Sequence, residues 1–410
     1  MNGRYISVPK RPLLQGAVAL LARLPLIRSR FAGCWLFADR DFKADDNAEH
    51  LYRWIMRDRQ NRPAQKIFFA LRRDSPDWER LKQDGYRLIN LGSLWYAFAW
   101  LHCAWLISSN RTGYIVKQRW RARYAAIAHH RFCFLQHGIT KDFQPGLSNP
   151  HADILITAAH VEYRAFVDDP RYVYTGREVR LTGFPRHDEL LRKAEATPEP
   201  RTILIMPTWR ENLVDTLIPR TGRFPYSKRF AQSEYFRNWQ AVLRSPTLHD
   251  AAKCNGYKIS FFPHPYIRQQ LCDFDLAGVD CPTDAGGSIQ DILADTALLI
   301  TDYSSIAMEV ALLQRSVLYF QFDRETFFTQ DHSYTKGYFD YERDGFGPVL
   351  TTMDALCARA TACMEEGCRM DAVYRERAEA FFAFRDQNNC RRVYEALCDY
   401  CQPTTLDTGT

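Results

Sequence analysis

Leu298-Leu-Ile-Thr-Asp-Tyr-Ser-Ser-Ile-Ala-Met-Glu-Val310 is the stretch that decides the fold. It opens as a short apolar run, the pattern of a buried strand. It breaks at Thr301-Asp302-Tyr303-Ser304-Ser305 and resumes with helical spacing through Ile306, Met308, Val310 and Leu313. A strand that turns directly into a helix leaves backbone N–H groups unsatisfied at the turn. Two serines there can cap the helix and add hydroxyl donors beside those groups. The arrangement suits a phosphate or diphosphate.

The same alternation extends outward in both directions. Towards the N-terminus, strands are expected over residues 33–37, 66–70 and 86–91. Asp45-Asp46-Asn47 caps a helix running through His50, Leu51, Trp54 and Ile55, and another helix closes at Leu81. Residues 88–110 carry no charge and are long enough to cross a bilayer. Asn90, Gly92, Ser93, His102 and Ser108-Ser109-Asn110 interrupt them, so they divide into a short helix (94–102) and a buried strand (104–108). Strands follow over 132–135 and 152–157. After a Glu/Pro-rich hinge at Ala194–Arg201 come strands over 202–206, 257–262, 297–301 and 317–320. The expectation is an α/β architecture: two doubly wound, Rossmann-like domains (1–192 and 200–374) facing across a cleft. A C-terminal helix at about 375–400 packs back on the first.

Length and charge bound the function. A chain of 410 residues exceeds one ordinary core. Residues 1–131 hold 24 Lys and Arg against 10 Asp and Glu, a net of +14, while the remainder nets −8. A basic front half points to an anionic partner. With no zinc-finger or RNA-binding signature, the expected partner is an acidic polymer or an anionic membrane surface, not nucleic acid. Residues 9–31 combine an apolar face with five basic residues and no acid, broken by Pro25, a composition suited to lying on an anionic bilayer. They lack the small-residue cleavage site of a secretory leader. Of the 12 cysteines, Cys398 and Cys401 have metal-ligand spacing, but no second pair or histidine accompanies them. They read as a helix face, and no metal or cofactor is expected.

Four singular loops each follow an expected strand: Gln136-His137-Gly138, Pro207-Thr208-Trp209-Arg210, Pro263-His264-Pro265 and Asp302-Tyr303-Ser304-Ser305. Strand ends of a doubly wound sheet share one edge. Arg210 can grip phosphate oxygens in a bidentate fork, Thr208, Ser304 and Ser305 can donate to them, and a histidine can move a proton near neutral pH. Glu309, one helical turn past Ser305, suits a ribose hydroxyl. Asp323 follows the strand at 317–320.

These blocks, in this order, resemble the CDP-glycerol glycerophosphotransferase family, the teichoic acid primases and polymerases with relatives in capsule synthesis. Asp46-Asn47, Gly183-Phe-Pro-Arg186 with Asp188, Lys336-Gly337-Tyr338 and Gly347-Pro348 extend the resemblance over roughly residues 33–395. Gln136 stands where the family commonly has Trp, and Lys336 where it has Arg. The resemblance implies a GT-B fold and a peripheral enzyme on the cytoplasmic face of the membrane. It implies transfer of a polyol phosphate, glycerol phosphate foremost, from a CDP-polyol to a lipid-linked or polymeric acceptor, with release of CMP. By matching position, His137 and His264 are the essential, catalytic histidines and Ser304 and Ser305 contact the diphosphate; Arg210, Thr208, Asp302, Glu309, Gly138 and Arg186 complete the expected substrate-binding set. Two other functions fit the same blocks: a GT-B glycosyltransferase using a CMP-sugar, and a non-catalytic scaffold of a capsule assembly complex.

Overall fold

The computed structural model describes residues 12–57, 66–111, 128–148, 152–215, 224–282, 288–331 and 335–400. The start of the basic N-terminal stretch, most of the basic loop between Arg111 and Arg131, and Cys401 with the polar tail lie outside the described residues.

In chain order the elements of the first half are α1 (Pro12–Ala22), α2 (Pro25–Phe31), β1 (Trp35–Ala38), α3 (Asn47–Arg57), β2 (Ile67–Leu71), α4 (Trp78–Gln83), β3 (Leu88–Asn90), α5 (Leu94–His102), β4 (Trp105–Ser108), β5 (Arg131–Phe134), β6 (Ile154–Thr157), α6 (His160–Asp168) and β7 (Val179–Leu181). After α7 (Pro185–Glu195) the second half follows as β8 (Thr202–Ile205), α8 (Glu234–Leu243), α9 (Pro246–Cys254), β9 (Lys258–Phe261), α10 (Ile289–Ala294), β10 (Thr296–Thr301), α11 (Ile306–Leu312), β11 (Ser316–Phe320), β12 (Val349–Leu350), α12 (Met353–Glu365), α13 (Ala372–Phe381) and α14 (Asn389–Asp399).

The strands form two parallel sheets, of order β3-β2-β1-β4-β5-β6-β7 and β12-β11-β10-β8-β9. Each order reverses once, between β1 and β4 and between β8 and β10, the signature of doubly wound sheets whose ligands gather at the carboxyl ends beside the reversal. Parallel strands are covered on both faces and read as continuous apolar runs. All six residues of β10 are buried accordingly. The uncharged stretch divides as expected, into α5, capped by Ser93 Oγ accepting from Tyr96 N at 3.2 Å, and the wholly buried β4.

The chain separates into two compact units. One comprises residues 1–137, 145–189 and 386–410; the other comprises 138–144 and 190–385. In the first, α14 is held by rings and by a cap. Tyr394 lies 5.6 Å from Trp35 and 5.7 Å from Trp54 between ring centres. The Asp188 carboxylate accepts the backbone N–H groups of Asn389 (2.9 Å) and Cys390 (2.8 Å), so a residue two hundred positions upstream satisfies the start of the last helix. In the second unit, Gly337 and Gly347 permit close backbone approach. A Cβ at Gly337 would lie 2.2 Å from the Lys141 carbonyl oxygen, and one at Gly347 would lie 1.7 Å from that of Val317. Among the described residues no helix is long and apolar enough to cross a membrane.

Candidate active site

In the second unit three of the expected loops meet at the carboxyl edge of the sheet, beside its reversal. Asp302, at the end of β10, accepts the backbone N–H of Thr208 at 2.8 Å and of Tyr303 at 2.6 Å through Oδ1, tying the loop after β8 to the loop after β10. Thr301 Oγ1 donates to the Met206 carbonyl at 2.6 Å, a second stitch between the same loops. Arg210 is only 2% exposed. Its Nε donates to Asp323 Oδ2 (2.7 Å), its Nη1 to the Thr208 carbonyl (2.7 Å), and its Nη2 lies 2.9 Å from Asp302 Oδ2. The rings of Tyr235, Tyr303 and Phe327 enclose it at 4.7–5.3 Å. The guanidinium expected to grip a phosphate is thus engaged with protein acceptors, and in this conformation it acts as the bolt of the loop cluster.

His264 follows β9. Its Nδ1 accepts the backbone N–H of Tyr266 at 3.2 Å, which in the neutral ring leaves the proton on Nε2. The imidazole stacks on Trp209, 5.9 Å between centres, and meets Tyr266 edge-on at 4.7 Å. The loop after β8 therefore supplies the wall against which His264 is oriented. Ser304 Oγ accepts from Ile306 N at 3.3 Å, while Ser305 holds the cap position of α11 without a side-chain cap. Both serines are half-buried, and Glu309 in α11 is buried.

In the first unit His137 follows β5, and Asp46, Arg186 and Arg40 surround its ring. Its Nδ1 pairs with Asp46 Oδ2 in a short contact, and its Nε2 lies 2.6 Å from Arg40 Nη2. Arginine has no lone pair to offer, so Nε2 is the acceptor and the ring proton sits on Nδ1, donated to Asp46. Arg186 Nη1 donates to Asp46 Oδ1 at 2.7 Å and to the His137 carbonyl. Arg186, expected to bind substrate, is buried here and holds both members of the pair. Asn47 completes the frame: its Nδ2 donates to the Gln136 carbonyl at 2.9 Å, and its Oδ1 accepts from Arg186 N at 3.1 Å. Gly138 follows directly and is half-buried.

Electrostatics separates the pair. Burial pushes the Asp46 carboxyl up, but His137 and Arg186 outweigh it and hold its pKa down to about 2. The His137 pKa is lowered, first by the protein crowding the ring and then by Arg40 and Arg186, against the opposing pull of Asp46. The side chain keeps 56% of its surface exposed, and the neighbouring Arg40 and Arg186 cations act in the same direction as the crowding. The result is an ionised carboxylate orienting a neutral imidazole, the arrangement of a general base.

Several supporting residues carry no local signal in the sequence. Asp39, at the end of β1, accepts from Asp46 N, Ala48 N and Glu49 N at 3.0–3.2 Å, so it shares the capping of α3 with Asp46, whose Oδ1 accepts Asn47 N at 2.8 Å. Gln136 has a left-handed backbone (φ 59°), and its amide donates to the Ile156 carbonyl (2.6 Å) and to Glu162 Oε1 (3.1 Å). The glutamine at this position thus anchors the histidine loop to β6 and α6. Among the described residues no group of three or more His, Cys, Asp or Glu is placed to hold a metal ion.

Two Rossmann-like units of parallel sheet, each with a histidine after a strand, define the GT-B class of α/β protein. The chain belongs to the family described as CDP-Glycerol:Poly(glycerophosphate) glycerophosphotransferase, which it matches over residues 22–399. It is 35% identical over 370 residues to the minor teichoic acid biosynthesis protein GgaB of Bacillus subtilis, covering 89% of this chain. This chain spans 39% of that relative's length. It is 25% identical over 188 residues to the teichoic acid poly(glycerol phosphate) polymerase of Bacillus spizizenii, across 43% of this chain and 42% of the relative. Its fold is similar to that of the wall teichoic acid polymerase TagF, with a TM-score of 0.61 at 15% identity over 95% of this chain and 98% of the other.

Proposed function

We propose that this chain transfers a polyol phosphate, foremost glycerol phosphate, from a CDP-polyol to a hydroxyl of a lipid-linked or polymeric cell-surface acceptor, releasing CMP. The observation that carries this reading is the opposite state of the two histidines. The Asp46–His137 pair makes Nε2 of His137 a proton acceptor, whereas the Tyr266 N–H on Nδ1 makes Nε2 of His264 a proton donor. In the reaction, His137 Nε2 takes the acceptor's hydroxyl proton while the hydroxyl oxygen attacks the β-phosphorus. The bond from that phosphorus to the bridging oxygen breaks, and His264 Nε2–H stabilises the charge on the departing CMP phosphate. Thr208, Ser304 and Ser305 donate to the diphosphate, Glu309 receives a ribose hydroxyl, and Gly138 gives the acceptor close approach. Asp302 and Arg210 hold the donor loops, and Arg186 holds the base.

We place this activity at the cytoplasmic face of the membrane, on an anionic surface. The support is a patch on α1, α2 and α5: Leu20, Leu24, Leu26, Leu94 and Trp95 are exposed, with Arg23, Arg28 and Arg30 among them.

The test is CMP release from CDP-glycerol and CDP-ribitol with a lipid-linked acceptor, using donor labelled at the β-phosphorus. Label appearing in the acceptor supports the reading. CMP release only from a CMP-sugar, with no phosphorus transferred, replaces it with glycosyl transfer. Activity retained in the double variant His137→Ala, His264→Ala removes the assigned roles.

A further inference from the structure

Arg40 closes the lone pair that the base must offer. It lies two residues beyond β1, is exposed to solvent, and among the described residues its guanidinium has the His137 ring as its hydrogen-bond partner, Nη2 to Nε2 at 2.6 Å. While that contact persists, Nε2 cannot accept a proton from an incoming hydroxyl. A guanidinium donates equally well to phosphate, and a full negative charge is a better acceptor than a neutral imidazole. The other charged groups around the ring are Asp46, ahead of α3, and Arg186, in α7. Both are buried, and Asp46 and Arg186 are bonded to each other at 2.7 Å, so the exposed Arg40 is the member of the cluster able to change partner.

We propose that Arg40 is a latch on His137 which a phosphodiester of the acceptor releases, so that the base is freed only for a hydroxyl that already neighbours a phosphate. The inference rests on the transferase reading above and takes as acceptor the poly(glycerophosphate) end that the family's description names; what it adds is that Arg40 reads the phosphate of that end. Arg40 touches the acceptor's phosphate and positions it, and His137 remains the group that takes the proton.

Two measurements test it. In turnover, the wild type is compared with Arg40→Ala and Arg40→Lys on two matched lipid acceptors, one ending in glycerol phosphate and one in glycerol without phosphate. The expected result is that preference for the phosphate-bearing acceptor falls by roughly tenfold or more in Arg40→Ala, through KM, and is partly restored in Arg40→Lys. Equal loss on both acceptors, or an unchanged preference, overturns the latch.

The second measurement needs no turnover. In nitrogen-15-histidine NMR of the full chain, with His137 assigned through His137→Gln, removal of the Arg40 cation should make His137 titrate at higher pH. Adding bis(glycerol) phosphodiester to the wild type should move it the same way. No response to the diester overturns the proposal, and a response to phosphatidylglycerol bilayers alone reassigns the phosphate to a lipid headgroup and overturns the acceptor class. A wild type that shows the NMR response but transfers no phosphorus sinks the transferase reading while leaving the latch chemistry in place.

Discussion

Arg210 Nη2 and Asp302 Oδ2 lie 2.9 Å apart with both side chains shut away from solvent, and the same carboxylate holds the Thr208 N–H through its other oxygen. One aspartate therefore neutralises a buried cation and fixes the loop beneath Trp209. Its removal leaves Arg210 with Asp323 and the Thr208 carbonyl, but takes a carboxylate from a buried cation and unties the Thr208 and Tyr303 N–H groups. Asp302→Ala is expected to cost about 3–5 kcal/mol in chemical denaturation. Asp302→Asn, which retains an acceptor for Thr208 and Tyr303, is expected to cost less. Equal stability of Asp302→Ala and wild type would show that the pair contributes nothing.

The Asp46–His137 pair predicts a pH dependence with two signs. The folded-state pKa of Asp46 is depressed, so its contribution is present above the unfolded carboxylate value near 4 and is lost as pH falls towards about 2. That contribution is on the order of 2 kcal/mol. Denaturation curves of wild type and Asp46→Asn should therefore converge across that window. The His137 shift is downward, so its imidazole stays neutral, and the transfer reaction stays active, below the ordinary histidine value of about 6.5. Asp46→Asn withdraws the group that raises the His137 pKa. The acid limb of the rate profile should move to lower pH, while the plateau falls by roughly 10²–10⁴ as the ring loses its orientation. An acid limb that moves upward would contradict the assignment.

Gly337→Ala adds a methyl 2.2 Å from a backbone carbonyl that has no room to yield. The expected loss is about 1–3 kcal/mol, read as a lower Tm. Gly16→Ala is the control for an added methyl without a clash, since nothing lies within 4 Å of its Cβ position.

Leu24→Glu combined with Leu26→Glu places two acids among Arg23, Arg28 and Arg30 on exposed positions. Co-sedimentation with phosphatidylglycerol vesicles should drop severalfold, while melting temperature and CDP-glycerol binding stay at wild-type values. Unchanged sedimentation would move the membrane contact elsewhere.

The strands were legible because a parallel sheet buries both faces. Runs such as Leu298–Thr301 and Val317–Phe320 are apolar without alternation, and the loops after them stand out by contrast. The two histidines were legible for the same reason. What surrounds them was not, because it is assembled across long separations. Arg40 meets His137 over 97 residues, Asp323 meets Arg210 over 113, and Asp188 meets Asn389 over 201. An arginine after a strand reads from sequence as an outward donor. The two carboxylates and three rings that enclose Arg210 belong to other segments, and no local pattern records them. Gln136 likewise looked like a missing tryptophan until its amide was seen bonded to Ile156 and Glu162.

The cap that Asp188 places on the helix at Asn389–Asp399 also orders the birth of the molecule. The sheet of the first unit is translated early, yet the helix that packs on Trp35 and Trp54 leaves the ribosome only after the whole second unit has been made. Nascent β1 and α3 thus wait with an uncovered aromatic face, and a chaperone has its best opportunity in that interval.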